Sequence, residues 1–282
     1  MKRFVSGILM GAAAVALVGW APRWVWFLVL VALGTLALNE FFELAEKCGL
    51  HPFRMVGFVF GLALFALQLF YWVRWEGALL ACFVLVVLVV VLLRPHQFPQ
   101  AIASASTTVF GTFYVAGFLS LLLAWSGPDS SGLSMPSPFN SRAAVFFLLA
   151  VIWASDIAAF YTGRLLGRQK LAPKISPGKT IEGSVGGWIG SLIVAVVFQK
   201  FWMPTSSLAG IVVLATCLNA AGVLGDLAES AMKRGAGVKD SSTLIPGHGG
   251  TLDRIDSLLF AIPVMFYYPS IVAFLKRLLA GA

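Results

Sequence analysis

Four carboxylates in the last quarter of the chain fall into two pairs spaced i, i+3: Asp226 with Glu229, and Asp253 with Asp256. On a helix that spacing puts both members of a pair on one face. Hard oxygen ligands gathered in this way suit Mg2+, which binds through a few carboxylates together with phosphate oxygens. Lys233, Arg234, Lys239, His248 and Arg254 stand between and beside them, all groups that can meet phosphate. His248 is flanked by Gly247, Gly249 and Gly250, which let the backbone approach a ligand closely. No second histidine sits at ligand spacing, so His248 reads as a phosphate or nucleotide contact or as a loop-packing residue, not as half of a His-based metal site.

A second cluster lies upstream, from Gly163 to Ser184. It holds five cations in 16 residues: Arg164, Arg168, Lys170, Lys174 and Lys179. The triplet Gly178-Lys179-Thr180 suggests a nucleotide-binding P-loop, but that pattern needs a glycine at 173, where Pro173 stands, and a preceding strand. A turn rich in Lys, Ser and Thr that runs into a helix start at Glu182-Gly183 still suits phosphate, because helix N-terminal N–H groups favour anions. The plainer reading of these cations is a topology signal plus contact with anionic lipid headgroups.

The elements that position these residues follow from composition. Of 282 residues, 59% are hydrophobic and 11% charged, with mean hydropathy +0.91. Ordinary soluble domains are about half apolar and about a quarter charged. This chain has too little polar surface to cover a soluble globule, and the composition also excludes a disordered chain and a disulfide scaffold. Cys48, Cys82 and Cys217 form no pairing or zinc pattern. What remains is a polytopic membrane protein. The net charge of +8 is then a question of topology and makes no case for nucleic acid.

Nine apolar segments are long enough to cross a bilayer: 4–20, 24–44, 55–73, 77–93, 106–126, 143–163, 183–201, 206–227 and 255–275. They predict an all-α integral membrane protein of nine transmembrane helices. Five helices form an N-terminal part, residues 1–140, and four form a C-terminal catalytic part, residues 141–282, with two basic loops. Met1-Lys2-Arg3 and the apolar run behind it resemble a signal peptide, but Gly19-Trp20-Ala21-Pro22 is a poor cleavage site, so the segment is expected to stay as the first span. With nine spans, 14 of the 20 Lys and Arg fall on the face that carries the N-terminus, which places that face in the cytoplasm. Ten of the 12 acids gather at the same face. Acids do not set topology, so both signs at one interface point to an anion and a metal handled there.

The carboxylates have a plain alternative: interfacial salt bridges, Asp226 with Lys233 or Arg234 and Asp253 with Arg254. Exposed pairs of that kind contribute about 0–1 kcal/mol, whereas acids near a bilayer are costly and by default functional. Asp156, inside helix 6, is expected to be buried and therefore to pair with Arg164, to join a metal ligand set or to meet a substrate group. Glu40, Glu43 and Glu46 read as a solvated helix end. The aromatic residues read mostly as lipid-facing and interfacial anchors.

The run from Ser230 to Asp256, 27 consecutive positions containing Lys233-Arg234, Lys239-Asp240, Pro246-Gly-His248-Gly249-Gly250 and Asp253-Arg254-Ile-Asp256, closely resembles the signature of phosphatidate cytidylyltransferases, the CDP-diacylglycerol synthases. Thr251 departs from it, where the family prefers a large apolar residue. Ser155-Asp156 and the stretch Lys170 to Gly183, with Ser176, Lys179, Thr180 and Glu182, look like the same family. The resemblance covers residues 150–260; the first 140 residues match only in being apolar helices.

The resemblance implies a reaction: CTP and phosphatidic acid give CDP-diacylglycerol and pyrophosphate, by a homodimer. Short loops and the lack of a polar N-terminal extension suggest a bacterial inner-membrane protein. The resemblance also implies Mg2+ held by Asp226, Asp253 and Asp256, with a second cation, monovalent in type, such as K+. Lys233, Arg234, Lys239, Asp240, His248 and Arg254 complete the expected catalytic set. Asp156, Arg164, Lys170, Ser176, Lys179, Thr180, Glu182, Glu229, Gly249 and Gly250 are expected to bind substrate; which loop takes which phosphate stays open. Membrane lipid is the other expected partner. Rival readings are a CTP-dependent polyprenol kinase, which would release CDP, and a transporter, which would place its charges near the bilayer midplane.

Overall fold

The computed structural model describes residues 2–70, 73–126, 141–204, 206–244 and 249–280. His248 and Asp129 lie outside the described residues. The helices are α1 (Lys2–Trp20), α2 (Arg23–Lys47), α3 (Arg54–Leu69), α4 (Glu76–Leu92), α5 (Ala101–Thr112), α6 (Ser141–Leu166), α7 (Ile181–Phe201), α8 (Leu208–Gly235) and α9 (Leu252–Ala280). α5 continues through a π-helical turn at Phe113–Gly117 and a short helix at Phe118–Ser120 to a 3-10 end at Leu121–Trp125. Each expected apolar segment therefore falls on a helix, the conformation that satisfies every backbone polar group internally in lipid.

Six stretches are long and apolar enough to span: Arg23–Lys47, Phe98–Trp125, Arg142–Leu166, Ile181–Phe201, Leu208–Gly235 and Leu252–Ala280. Leu9–Trp20, Arg54–Leu69 and Glu76–Leu92 are shorter apolar helices. The 16 residues of α3 reach only about 24 Å at about 1.5 Å per residue, short of a hydrocarbon core of about 30 Å. Among the described residues, the addition to the all-helical expectation is an antiparallel hairpin between α6 and α7, β1 (Lys170–Ala172) and β2 (Ser176–Thr180), pairing Lys170 with Thr180 and Ala172 with Ser176.

The chain packs as two compact units, Met1–Ser126 with Met232–Ile255, and Gly127–Ala231 with Asp256–Ala282. In the first, glycines form sockets for large rings. A Cβ on Gly111 would strike Phe41, and one on Gly57 would strike Phe42. Trp26, Phe42, Phe65 and Phe83 are fully buried, and Phe110 stacks on Tyr114 at 5.6 Å. Part of the aromatic set is thus core, beside the exposed aromatics that the sequence reads as lipid-facing and interfacial. Lipid offers helices little hydrophobic drive to associate, so close shape fit must supply it. Trp20, Trp24 and Trp202 do stay exposed.

In the second unit α6 and α7 meet along a seam of small residues. Gly183, Gly186, Gly187 and Gly190 sit against Ala154, Ser155, Ala158, Ala159 and Thr162. Gly183 with Gly187, and Gly186 with Gly190, form two overlapping small-xxx-small repeats, the spacing that lets membrane helix backbones approach. Asn219 on α8 donates to the buried Ser155 hydroxyl at 2.6 Å.

Gly186→Leu would drive its side chain into Thr162. It is expected to lower the thermal midpoint in detergent and reduce monodisperse yield, whereas Gly77→Ala, in α4 with nothing near its Cβ, is expected to leave the midpoint unchanged or raise it slightly. Equal midpoints for the two variants would refute the seam.

Candidate active site

The signature segment is organised around a carboxylate from far upstream. Glu40 lies on α2 inside the apolar part of the helix and is 3% exposed. Its Oε1 accepts from the Ser242 hydroxyl at 2.7 Å and the Thr251 N–H at 2.9 Å. Its Oε2 accepts from the Ser241 hydroxyl at 2.9 Å and the Leu252 N–H at 2.8 Å. Glu40 is therefore no solvated helix end. Glu46 and Glu43 fit that description better: Glu46 binds Arg54 at 2.6 Å at the surface, and Glu43 accepts from Asn39 at 2.7 Å.

Asp253 completes this cluster. Its Oδ2 accepts from the Gly250 N–H at 2.8 Å and the Ser241 N–H at 2.9 Å, with the Ser241 hydroxyl also at 2.9 Å. Reaching back three residues to Gly250, Asp253 closes the start of α9 as the acid of a capping box does. Its Oδ1 takes the Lys233 ammonium at 2.5 Å. Lys233 is itself buried, so this is an ion pair withdrawn from water. The glycines make the crossing possible. Gly249 has φ +77°, a left-handed conformation other residues avoid. A Cβ on Gly250 would fall on the Ser241 hydroxyl and the Glu40 carboxylate. Thr251 contacts Glu40 through its backbone, which explains why a departure in side-chain type is harmless to the interaction.

In the second unit the hairpin delivers Lys179 to Asp226 at 2.6 Å. Asp226 also accepts from Ser230 at 3.2 Å. The plain salt-bridge alternative paired Asp226 with Lys233 or Arg234, and Asp253 with Arg254; the structure pairs Asp226 with Lys179 and Asp253 with Lys233. Thr180 caps α7 by accepting the Gly183 N–H at 3.1 Å, and Glu182 accepts the Gln169 N–H at 3.2 Å. These bonds fix where the hairpin leaves the helix. Gly225 brings α8 onto α9, since a Cβ there would meet the Asp256 carbonyl oxygen and Phe260. Asp226 and Asp256 therefore flank one helix crossing. Asp256 accepts from the Ser257 N–H at 2.6 Å.

The remaining expected residues are placed as follows. Arg164, Lys170, Arg234, Lys239, Asp240 and Arg254 are exposed, Ser176 is half-buried on β2, and Glu229 is fully buried on α8. Asp156 is exposed on α6, not buried as expected; the buried polar residue there is its neighbour Ser155. A cavity of about 350 Å³ in the first unit is bounded by Phe41, Leu44, Ala45, Phe110, Met232 and Gly235.

The sequence pattern described as the cytidylyltransferase family matches residues 1–272. This chain belongs to that family. A phosphatidate cytidylyltransferase of Synechocystis is 35% identical over 94% of this chain and 93% of its own. That of Haemophilus influenzae is 43% identical over 55% of this chain and 52% of its own, and that of Bacillus subtilis 43% over 44% and 46%. The chain thus spans about half the length of the latter two relatives and nearly all of the first.

Carboxylate oxygens are the right donor type for Mg2+. A carboxylate offers about four lone-pair sites. Asp226 accepts from Lys179 and Ser230, and Asp256 from the Ser257 N–H. Asp253 is more fully engaged, by Lys233, Ser241 and Gly250. Among the described residues, no three His, Cys, Asp or Glu side chains stand close enough together to hold one ion. The acids fit the metal by donor type.

Glu40 is the buried carboxylate whose partners the sequence reading misses. The signal was present: a charge set within an apolar helix is costly and calls for a partner. Its partners lie some 200 residues away.

The Lys179–Asp226 pair is partly exposed, and such pairs contribute about 0–1 kcal/mol. Lys179→Ala is expected to shift the thermal midpoint by no more than about 4 °C. Gly250→Ala, which strikes the Glu40 carboxylate, is expected to lower it clearly further in the same melting experiment.

Proposed function

We propose that this chain transfers the cytidylyl group of CTP to phosphatidic acid, giving CDP-diacylglycerol and pyrophosphate. The observation that carries the reading is the single hydrogen-bonded frame of Lys233, Ser241, Gly250 and Asp253, in a chain of the cytidylyltransferase family. Phosphatidate is already an anion and needs no strong base to attack the α-phosphorus. The difficulty is that one polyanion must approach another, and positioning with electrostatic stabilisation dominates such transfers.

Lys233 supplies a buried cation at a fixed place, held by Asp253. Lys179, on the hairpin, offers a cation whose carboxylate partner is partly exposed. Arg234, Lys239 and Arg254 are exposed cations of the same segment and can hold pyrophosphate or the attacking phosphate; His248 and Asp240 belong to the same expected set. Asp226 and Asp256 would hold Mg2+, with Asp253 the third acid that the family resemblance assigns. Bound there, the metal neutralises charge on the CTP phosphates. A second, monovalent cation belongs to the same reading.

We place the N-terminus and both loops in the cytoplasm on the split of Lys and Arg, with nine spans in the bacterial inner membrane and a homodimer as the working unit. CTP is cytosolic, which suits a site at that face.

The deciding experiment supplies the purified protein with phosphatidic acid, α-labelled CTP and Mg2+, with and without EDTA. Label is expected in a lipid only when metal is present. Labelled CDP released from CTP only when a lipid alcohol is supplied, with the γ-phosphoryl group passing to that alcohol, would make the protein a kinase, and neither product from folded protein would reject both. Asp256→Asn is expected to cut kcat at least 100-fold with an unchanged melting midpoint; full activity at saturating Mg2+ would remove Asp256 from the metal set. Lys179→Ala is expected to raise the KM for one substrate or lower kcat by about tenfold, the cost of about 1.4 kcal/mol in the transition state. A wild-type profile would reduce the hairpin to a topology signal.

A further inference from the structure

Glu40 is a buried carboxylate that the proposed reaction does not use, and its four donors are distributed in a telling way. Each oxygen takes one hydroxyl and one backbone N–H: Oε1 takes Ser242 and Thr251, and Oε2 takes Ser241 and Leu252. Hydroxyls can rotate to find another acceptor, but backbone N–H groups cannot. An ionised carboxylate is acceptor-only, so it satisfies both oxygens' donors at once. A glutamine in its place would turn one oxygen into an NH2 group. Whichever way that amide faced, it would meet a backbone N–H donor at Thr251 or Leu252.

The same frame leads on to the cation. The Ser241 hydroxyl lies 2.9 Å from both Glu40 and Asp253, and its single proton serves one of them at a time. The Ser241 N–H serves Asp253, which leaves the hydroxyl proton available to Glu40. Asp253 in turn holds the Lys233 ammonium. Gly250 must be glycine for Glu40 to stand where it does, and Gly250 also donates its N–H to Asp253. A carboxylate on the second helix is thereby connected, through one serine and one glycine, to the buried lysine of the signature segment.

We propose that Glu40 is a positioning residue of the cytidylyl-transfer site: through Ser241 and the backbone of residues 250–252 it sets Asp253, and through Asp253 the Lys233 ammonium. This rests on the proposed reaction for its catalytic consequence, but not for the loop geometry.

The test compares full-length wild type, Glu40→Gln and Glu40→Asp in detergent. It measures kcat/KM per folded molecule and amide hydrogen exchange. In Glu40→Gln, kcat/KM is expected to fall at least tenfold. Exchange at Thr251 and Leu252 is expected to speed up at least tenfold, with exchange in α6 and α7 unchanged. Glu40→Asp keeps the charge one methylene short and is expected to lie between the two. A merely structural carboxylate would lower yield or midpoint while the folded fraction kept wild-type kcat/KM; that result, or unchanged exchange at 251 and 252, overturns the proposal. If Glu40→Gln does not fold, Ser242→Ala, which removes one of the four donors, takes its place. A loss of threefold or more in kcat/KM with faster exchange at Thr251 supports the proposal, and wild-type values of either overturn it. Wild type that transfers no cytidylyl group sinks the reaction, while the exchange comparison still decides whether Glu40 holds the loop.

Discussion

The buried carboxylate of Glu40 is the constraint on which the signature segment depends. A charge removed from water is tolerated only when its lone pairs are filled, and here four donors fill them. Hydrogen bonds to charged groups contribute about 1.5–3 kcal/mol each, and leaving such a group unsatisfied costs more than any one bond returns. The arrangement is therefore close to all-or-none. The described parts of the loop, residues 241–244 and 249–251, form no helix that could hold them in shape. What holds them is the acid on α2 from one side and Asp253 from the other. The need for both acids to approach the same backbone explains the glycine at 250, where any Cβ would fall on the Glu40 carboxylate.

The helices face a different problem. In lipid, apolar side chains gain little by leaving their surroundings, so helix pairs are held by close fit and by polar contacts. The two units solve this in opposite ways. The first uses large rings in glycine sockets, Phe41 over Gly111 and Phe42 over Gly57. The second brings backbones together along Gly183, Gly186, Gly187 and Gly190 and adds the Asn219–Ser155 bond. Thr108 and Thr112 return their hydroxyls to the carbonyls four residues back, and Thr108 also accepts the Phe53 N–H at the start of α3. Polar groups inside the apolar part of the chain are in these cases used as fasteners.

Local pattern carried the reading of this chain a long way. Long apolar runs gave the helices, and the segment from Ser230 to Asp256 gave the family. The failures share a cause. Glu40 looks like any acid at a helix end, because its partners are a serine pair and two backbone amides about 200 residues on, and backbone amides leave no trace in a sequence. The salt-bridge alternative for Asp226 looked only to cations on its own helix, but the hairpin carries Lys179 to it. That hairpin has strands of three and five residues, too short for an alternating pattern to announce them. Asp156 was judged buried because its helix is apolar, yet it is Ser155, one position away, that turns inward. One residue step on a helix is about 100°, which a hydropathy count does not resolve.

The two lysine–carboxylate pairs differ in a way that bears on what each lysine can do. Lys233 and Asp253 have side chains 11% and 5% exposed, against 25% and 32% for Lys179 and Asp226. Water screens the second pair, so Lys179 can exchange one anionic partner for another at little cost. Lys233 has no such freedom. Breaking a buried pair leaves a charge stranded, a penalty of several kcal/mol in general. Its ammonium is better regarded as a fixed positive charge, whose position is inherited from Asp253 and, behind it, from the loop. A charge already in place needs no reorganisation when an anion arrives, whereas a charge on a surface hairpin can change partners as an anion binds.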